Sequence, residues 1–263
     1  MRVTTTWGAG DYPLMAERLQ PVAVRAVDAA GMRSGDRVLD VATGTGNAAL
    51  RAAELGAEVI GVDFERTLLD VAKTRARESG VGAWWELAEA TALPVPDRWA
   101  NVIISVFGVM YSPAHDQAAH ELSRCVTTEG RIVLAAWTPG SFMPAMGQAL
   151  ASFLPPPPPR MDGPPSRWGD PSVLDDLFTP NGLHVCSHST GSLTLTFENA
   201  TVATDFLVIT SGHVMAEREG LAEQGRWEDM RAAMHRLVDS RSEHDNDQLR
   251  IELEFLLATI GHD

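Results

Sequence analysis

Two carboxylates bracket a glycine turn in this chain. Asp40 precedes the turn in the run Arg37 to Leu50, RVLDVATGTGNAAL, and Asp63 stands seventeen residues past Gly46. A glycine turn between a strand and a helix lets backbone N–H groups and the helix N-terminus approach a polar or anionic ligand with no side chain in the way. An acid at the tip of the next strand can accept hydrogen bonds from ribose hydroxyls. Together these residues suit a nucleotide-type site, although Gly44-x-Gly46-x-x-Ala49 alone also satisfies the dinucleotide fingerprint. Asp63 has a plainer reading as the cap of a helix over Thr67–Glu78. Groups able to take a proton are His115, His120 and His213, because imidazole titrates near working pH, with Tyr12 and Tyr111 as orienting hydroxyls. His115 follows the fourth strand beside Tyr111, whereas His120 reads as surface.

Positioning these groups requires alternating strands and helices, and the pattern supplies them. Val38, Leu39 and Val41 make a buried parallel strand, Thr43 to Gly46 must turn, and a helix runs from about Asn47 to Leu55. Residues 57–63 form the second strand, 83–88 the third, 100–107 the fourth and 131–137 the fifth, with a helix over Pro113–Arg124 before the last. This alternation predicts a doubly wound parallel sheet. Upstream, Asp11–Ala30 reads as helix with a break after Gln20 at Pro21, and residues 1–10 as a mobile arm. Downstream, five prolines at 155–159 must be extended polyproline within a loop that follows a short helix at Pro144–Phe153. A helix over Pro171–Phe178, a strand over His184–Phe197, helices at Ala200–Gly212 and Glu217–Val238, a polar turn at 239–248 and a strand at Leu249–Thr259 complete the chain. The two late strands pair most simply antiparallel.

The 263 residues are enough for a full α/β core. A formal net charge of −14 repels phosphate backbones and argues against nucleic acid as a partner. No run of about 18 apolar residues occurs, so no membrane span is expected, and the N-terminus lacks the apolar core of a signal peptide. A cytoplasmic location follows as an expectation, with Cys125 and Cys186 as free thiols. No metal-ligand spacing is present.

With these features assembled, the chain resembles the class I S-adenosylmethionine-dependent methyltransferases, and within them the ubiquinone and menaquinone methyltransferase-like group of small-molecule enzymes. The resemblance is close over residues 35–140. The family's first motif, an acid followed by Gly-x-Gly-x-Gly, corresponds to Asp40-Val41-Ala42-Thr43-Gly44-Thr45-Gly46, with Ala42 in the first glycine's place. A dinucleotide site usually carries apolar residues where Asp40 stands. The resemblance implies S-adenosyl-L-methionine as cofactor, bound by Asp40, Ala42, Thr43, Gly44, Thr45, Gly46 and Asn47, with Asp40 either orienting the loop backbone or reaching the amino group of the methionine part. It places Asp63 on the ribose, Phe64 against the adenine, Glu89-Ala90-Thr91 at the adenine edge, and Ser105-Val106-Phe107 near the methionine part. Family members usually have Asp-Ala where this chain has Glu89-Ala90. The aromatic-proline motif of amino-methylating DNA enzymes is absent.

The implied fold is a Rossmann-like seven-stranded sheet, mostly parallel with an antiparallel late strand, and with helices on both faces. Residues 1–30 would be an N-terminal arm and helical lid, and residues 31–263 the methyltransferase domain, with the proline-rich stretch 139–171 capping the acceptor side. The expected activity is methyl transfer to an O, N or C nucleophile of a small apolar or aromatic molecule. Expected catalytic groups are His115, His213 and Tyr12. Expected acceptor contacts are Trp7, Met110, Tyr111, Phe142, Met143, Met146 and Trp168, with Phe107 beside them. Two alternatives stay open, an NAD(P)-dependent oxidoreductase on the same turn and a methyltransferase fold that retains the cofactor without methylating. A small-molecule acceptor is the expected partner, and a homodimer is left open.

Overall fold

The computed structural model describes residues 7–156, 161–245 and 248–262. Its secondary structure comprises β1 (Arg37–Val41), β2 (Glu58–Asp63), β3 (Trp84–Leu87), β4 (Ala100–Val106), β5 (Val126–Trp137), β6 (His184–Phe197), β7 (Ser242–Asp245) and β8 (Gln248–Gly261), with helices α1 (Tyr12–Ala30), α2 (Asn47–Glu54), α3 (Arg66–Ser79), α4 (His115–Cys125), α5 (Phe142–Leu150), α6 (Pro171–Phe178), α7 (Ala200–Thr210), α8 (Gly212–Ala216), α9 (Arg218–Glu223) and α10 (Trp227–Arg241). The chain divides into two compact units. One contains residues 19–139, the described part of 158–191, and 255–262; the other contains residues up to Arg18, the described part of 140–157, and 192–254.

The sheet runs in the order β3-β2-β1-β4-β5-β8-β6, with β7 pairing off this path onto β8. The pairs β1 with β2, β1 with β4, β2 with β3 and β4 with β5 are parallel, and β8 lies antiparallel on β5 from Arg131↔Gly261 to Trp137↔Phe255. Strand order reverses between β1 and β4, and ligands of open α/β sheets bind outside the carboxyl ends of the strands at such a switch point. β1 is buried at Val38, Leu39, Asp40 and Val41, so a nearly continuous apolar run is what this central strand requires.

The Rossmann-like, mostly parallel sheet with an antiparallel late strand agrees with the sequence. Several details differ, among them the helix expected over Glu217–Val238, which is two helices, Arg218–Glu223 and Trp227–Arg241. The sheet has eight strands rather than seven, because Ser242–Asp245, expected as polar turn, pairs with Gln248–Ile251 as the short strand β7. Its residues are mostly exposed, so a polar segment can join the edge through its backbone alone. α1 continues through Pro21 without a break. Pro21 and Glu17, whose carbonyl loses its helical donor, both lie on the exposed side of the helix, where water can replace that bond. β5 begins at Val126, and Trp7–Ala9 form a turn of 3₁₀ helix. The expected polyproline stretch lies largely outside the described residues, as do residues 1–6 of the expected arm. Cys125 is buried, Cys186 is exposed and both are free. Among the described residues no helix is long and apolar enough to cross a membrane.

Candidate functional site

The turn after β1 is held by carboxylates at the ends of β1 and β2. Helix α2 starts at Gly46, a cap with φ 85° and no side chain to offer the orphan amides of the first turn. Asp40 serves instead from the end of β1. Its Oδ2 accepts from the Ala49 N–H at 2.9 Å and from the Thr43 hydroxyl at 2.6 Å. Asp63, at the end of β2, accepts from the Gly44 N–H through Oδ2 and from the Glu65 N–H through Oδ1, both at 2.8 Å. The Gly46 N–H goes to the Thr43 carbonyl and the Thr43 N–H to the Val62 carbonyl, each at 2.9 Å. The turn therefore spends these amides on the protein's own oxygens, and the anion cradle expected from the glycine pattern is not what forms.

Both acids are buried, at 2 % exposure for Asp40 and 6 % for Asp63. Burial disfavours the ionised form and lifts Asp40 to about 7, against the smaller opposing pull of its bonds from Thr43 and Ala49. Burial likewise lifts Asp63 to about 6, opposed by the Glu65 and Gly44 amides. Two buried carboxyls with raised pKa on either side of one turn favour a cationic ligand, which would restore both charges.

Two backbone features shape the turn further. Ala42, in the position where the resembling family has glycine, sits at φ 55° in the left-handed region. Its methyl group fits because Gly108 faces it; a Cβ on Gly108 would stand 2.4 Å from that of Ala42. Gly46 is closely packed as well, since a Cβ there would meet the Trp85 ring at 2.8 Å and the Ala72 methyl at 3.2 Å. At the end of β4, Phe107 also has a positive φ of 57°. Its ring stacks on Trp137 with centroids 3.5 Å apart and meets Phe255 edge-on at 5.8 Å, contacts that hold the unusual backbone.

The remaining expected cofactor residues divide by exposure. Phe64, Ala90 and Thr91 are half-buried and Glu89 is exposed, with the Ala88 N–H tied to the Asp63 carbonyl at 3.1 Å. Ser105 is fully buried, and its hydroxyl joins the end of β1 to the turn after β4. It donates to the Val41 carbonyl at 2.7 Å and accepts from the Val109 N–H at 3.0 Å. That side chain is structural in this arrangement, while Val106 beside it is half-buried.

The expected catalytic and acceptor residues need more correction. His115 is buried at 0 % exposure, edge-on to Trp168 at 5.7 Å, and neither ring nitrogen has a hydrogen-bond partner. Burial, with the Arg167 charge, pushes its pKa down, while the Met110 carbonyl lies near without forming a proper bond. It is a core histidine that an acceptor cannot reach. Trp168, at 0 %, packs on Phe178, and Met110, Phe107 and Phe142, at 1 %, 6 % and 2 %, are core as well. Apolar side chains at these spacings serve packing here rather than the lining of an open pocket. Tyr111 remains half-buried, and its hydroxyl is hydrogen-bonded to the Trp137 side chain; burial raises it to about 12, so it cannot act as a base near neutral pH.

In the other unit, Trp7 meets Tyr12 edge-on at 6.0 Å and His213 at 4.7 Å. These three expected site residues thus form one aromatic cluster, in which Trp7 and Tyr12 are near in sequence and His213 is the member the sequence does not indicate. Atoms crowded around the His213 ring lower its pKa, although much of the side chain still meets water. Met143 and Met146 are half-buried on α5 of the same unit.

Sequence reading missed Arg75. From α3 its Nη1 donates to the Thr45 carbonyl at 2.7 Å, the Thr45 hydroxyl at 3.0 Å and the Asn47 side-chain oxygen at 2.8 Å. Only its place one helical turn after Ala72 could have signalled this, once Ala72 is known to face the turn.

A switch-point site between β1 and β4, with an acid on each side of a glycine turn, defines a Rossmann-like domain for a nucleoside-containing cofactor. Residues 38–130 match the family model described as a methyltransferase domain. The chain is 38% identical over 194 residues to the uncharacterized protein Rv1403c of Mycobacterium tuberculosis, covering 72% of this chain and 69% of that protein. It is 38% identical over 117 residues to the demethylmenaquinone methyltransferase of Thermus thermophilus, covering 44% of this chain and 53% of the enzyme. Its fold is similar to the geranyl diphosphate C-methyltransferase of Streptomyces coelicolor, with a TM-score of 0.55 at 16% identity over 94% of this chain and 80% of that one. The chain belongs to the class I S-adenosylmethionine-dependent methyltransferases.

Proposed function

We propose that this protein transfers a methyl group from S-adenosylmethionine to an O, N or C nucleophile of a small apolar or aromatic molecule. One observation carries the choice of cofactor. The Gly44 and Ala49 amides, which a dinucleotide pyrophosphate would need, are already bonded to Asp63 and Asp40, and these two buried carboxyls would repel phosphate. They suit a ligand carrying positive charge. Asp40 takes both of its protein hydrogen bonds on Oδ2, which leaves Oδ1 for a donor such as the cofactor's ammonium group. Asp63 retains lone pairs for the ribose hydroxyls. Phe64, Ala90 and Thr91 are the residues we assign to the adenine side.

When bound, the cofactor supplies a methyl group on a sulfonium, whose thioether leaves without needing a proton. Much of the rate can then come from alignment and exclusion of water. The structure favours this economy, because His115 is sealed in the core and Tyr111 is too weak an acid to serve as a neutral-pH base. The Tyr111 hydroxyl, fixed by Trp137, is suited to orienting an acceptor. The aromatic acceptor class draws on the similarity to the Thermus enzyme, named for demethylmenaquinone.

Calorimetry with S-adenosylmethionine and S-adenosylhomocysteine, followed by labelled-methyl transfer to a panel of phenols, quinols and amines, tests the reading. Failure to bind either compound would remove it. Nicotinamide fluorescence changing on mixing would support the oxidoreductase alternative. Binding without acceptor-dependent formation of S-adenosylhomocysteine would support a non-methylating role.

A further inference from the structure

The resembling family's motif accounts for the acids and glycines of the turn but not for the cation that grips it. Thr45 is buried, and its carbonyl lies one residue before the cap of α2, outside the helical ladder that begins with Leu50 N–H to Gly46 O. The Ala49 N–H, the nearest helical donor in register, goes to Asp40 instead. A buried carbonyl in this position needs another donor, and Arg75 provides it. The same nitrogen also holds the Thr45 hydroxyl and the side-chain oxygen of Asn47, the first residue of α2.

Arg75 can do this because α3 packs its Leu68, Leu69, Ala72 and Ala76 face inward, with the Ala72 methyl against Gly46. One helical turn beyond Ala72, the guanidinium reaches Thr45 and Asn47. The first turn of α2 is therefore held between Asp40, which fixes Ala49, and Arg75, which fixes Thr45 and Asn47. If Thr45 and Asn47 shift, Ala49 shifts with them, and the direction of the Asp40 carboxyl is no longer set.

We propose that Arg75 is a positioning residue for cofactor binding: it fixes the entry of α2 so that Asp40 presents its carboxyl to the cofactor. This rests on the reading that the turn binds S-adenosylmethionine. The test measures S-adenosylmethionine dissociation constants by calorimetry for the wild type, Arg75→Met, Arg75→Lys, Asp40→Asn and the double variant Asp40→Asn/Arg75→Met, with urea unfolding of each in parallel. Arg75→Met should weaken binding about tenfold or more, the scale of losing a charged hydrogen-bond partner. Arg75→Lys, which keeps a charged donor on a shorter reach, should recover part of the loss. Asp40→Asn and Arg75→Met should combine to less than the product of their separate effects, because both act through one turn.

Unchanged affinity in Arg75→Met, or losses that multiply independently with Asp40→Asn, would overturn the proposal. A lowered urea midpoint with unchanged cofactor affinity would assign Arg75 a structural role only. Should Arg75→Met not fold, the comparison of Arg75→Lys and Arg75→Gln against Asp40→Asn decides by the same criteria. A wild type that binds no cofactor would instead remove the function proposed above, a result distinct from either of these.

Discussion

Lowering the pH should weaken S-adenosylmethionine binding in two steps, and the step sizes follow from the turn. Burial raises Asp40 to about 7 and Asp63 to about 6. If the cofactor requires both carboxyls ionised, each must lose its proton before or during binding, and affinity scales with the ionised fraction in the free protein. At pH 8 both are largely ionised; at pH 6 only about a tenth of Asp40 and about half of Asp63 are, which predicts binding about twentyfold weaker. At pH 5 the combined factor approaches about a thousandfold. The sign for stability is opposite to that of an ordinary paired carboxylate. The folded protein holds these protons more tightly than the unfolded chain does, so the two groups cost the apoprotein stability as pH rises from about 4 to about 7, and cofactor binding offsets that cost.

Calorimetry from pH 5 to 8, in buffers of differing ionisation enthalpy, reads both the affinity and the protons released, with circular dichroism verifying that the fold persists. Asp40→Asn should remove the loss that sets in near pH 7 and leave the one that sets in near pH 6, about tenfold between pH 8 and pH 5. An affinity that is level across this range, with no proton release, would refute the assignment of these two acids to a cationic ligand.

Asp63→Ala at pH 8 should weaken cofactor binding by about 1.5–3 kcal/mol, the range for hydrogen bonds to a charged group, as read by titration calorimetry. Ala42→Gly should raise stability by about 0.5–1 kcal/mol in urea unfolding, because it releases a left-handed alanine, and the gain is smaller than the full strain because glycine also loosens the unfolded chain. Gly169→Ala should lower stability by about 1–3 kcal/mol in the same assay, since its Cβ would stand 2.0 Å from the Trp137 carbonyl oxygen and force the segment off the end of β5.

The parts of the fold that were legible in sequence are those where one residue type has one physical solution. Val38, Leu39 and Val41 are apolar on successive positions because β1 is covered on both faces, and Thr43 to Gly46 cannot extend that strand. β6 and α6 have the predicted limits, at His184–Phe197 and Pro171–Phe178. Asp170 caps α6 through its bond from the Ser172 N–H, and Pro171 stands at the first helical position where its missing N–H costs nothing. Where a residue type has two solutions, sequence chose less well. Proline at 21 can break a helix or sit on its wet side, and a polar run at 242–245 can turn or line a sheet edge.

The same distinction separates the two halves of the site. Asp40, the glycines and Asp63 are tied to a strand end and a turn whose positions follow from local chemistry, so their spacing in sequence carries their arrangement in space. His115 is expected as a catalytic base, and Trp168 and Met110 as acceptor contacts, because they follow strand ends, but following a strand end does not fix which way a side chain points. His115 is the first residue of α4 and faces inward to Trp168, from a segment more than fifty residues later. No local rule specifies that contact. Arg75 shows the converse, a functional candidate with no motif, since its role depends on Ala49 having given its N–H to Asp40 and left the Thr45 carbonyl for a donor from another helix. Cofactor chemistry in this fold is legible where the backbone alone fixes geometry, and it becomes illegible once a second element must arrive to complete a hydrogen bond. The acceptor's identity belongs to that second kind, so a screen of nucleophiles decides it.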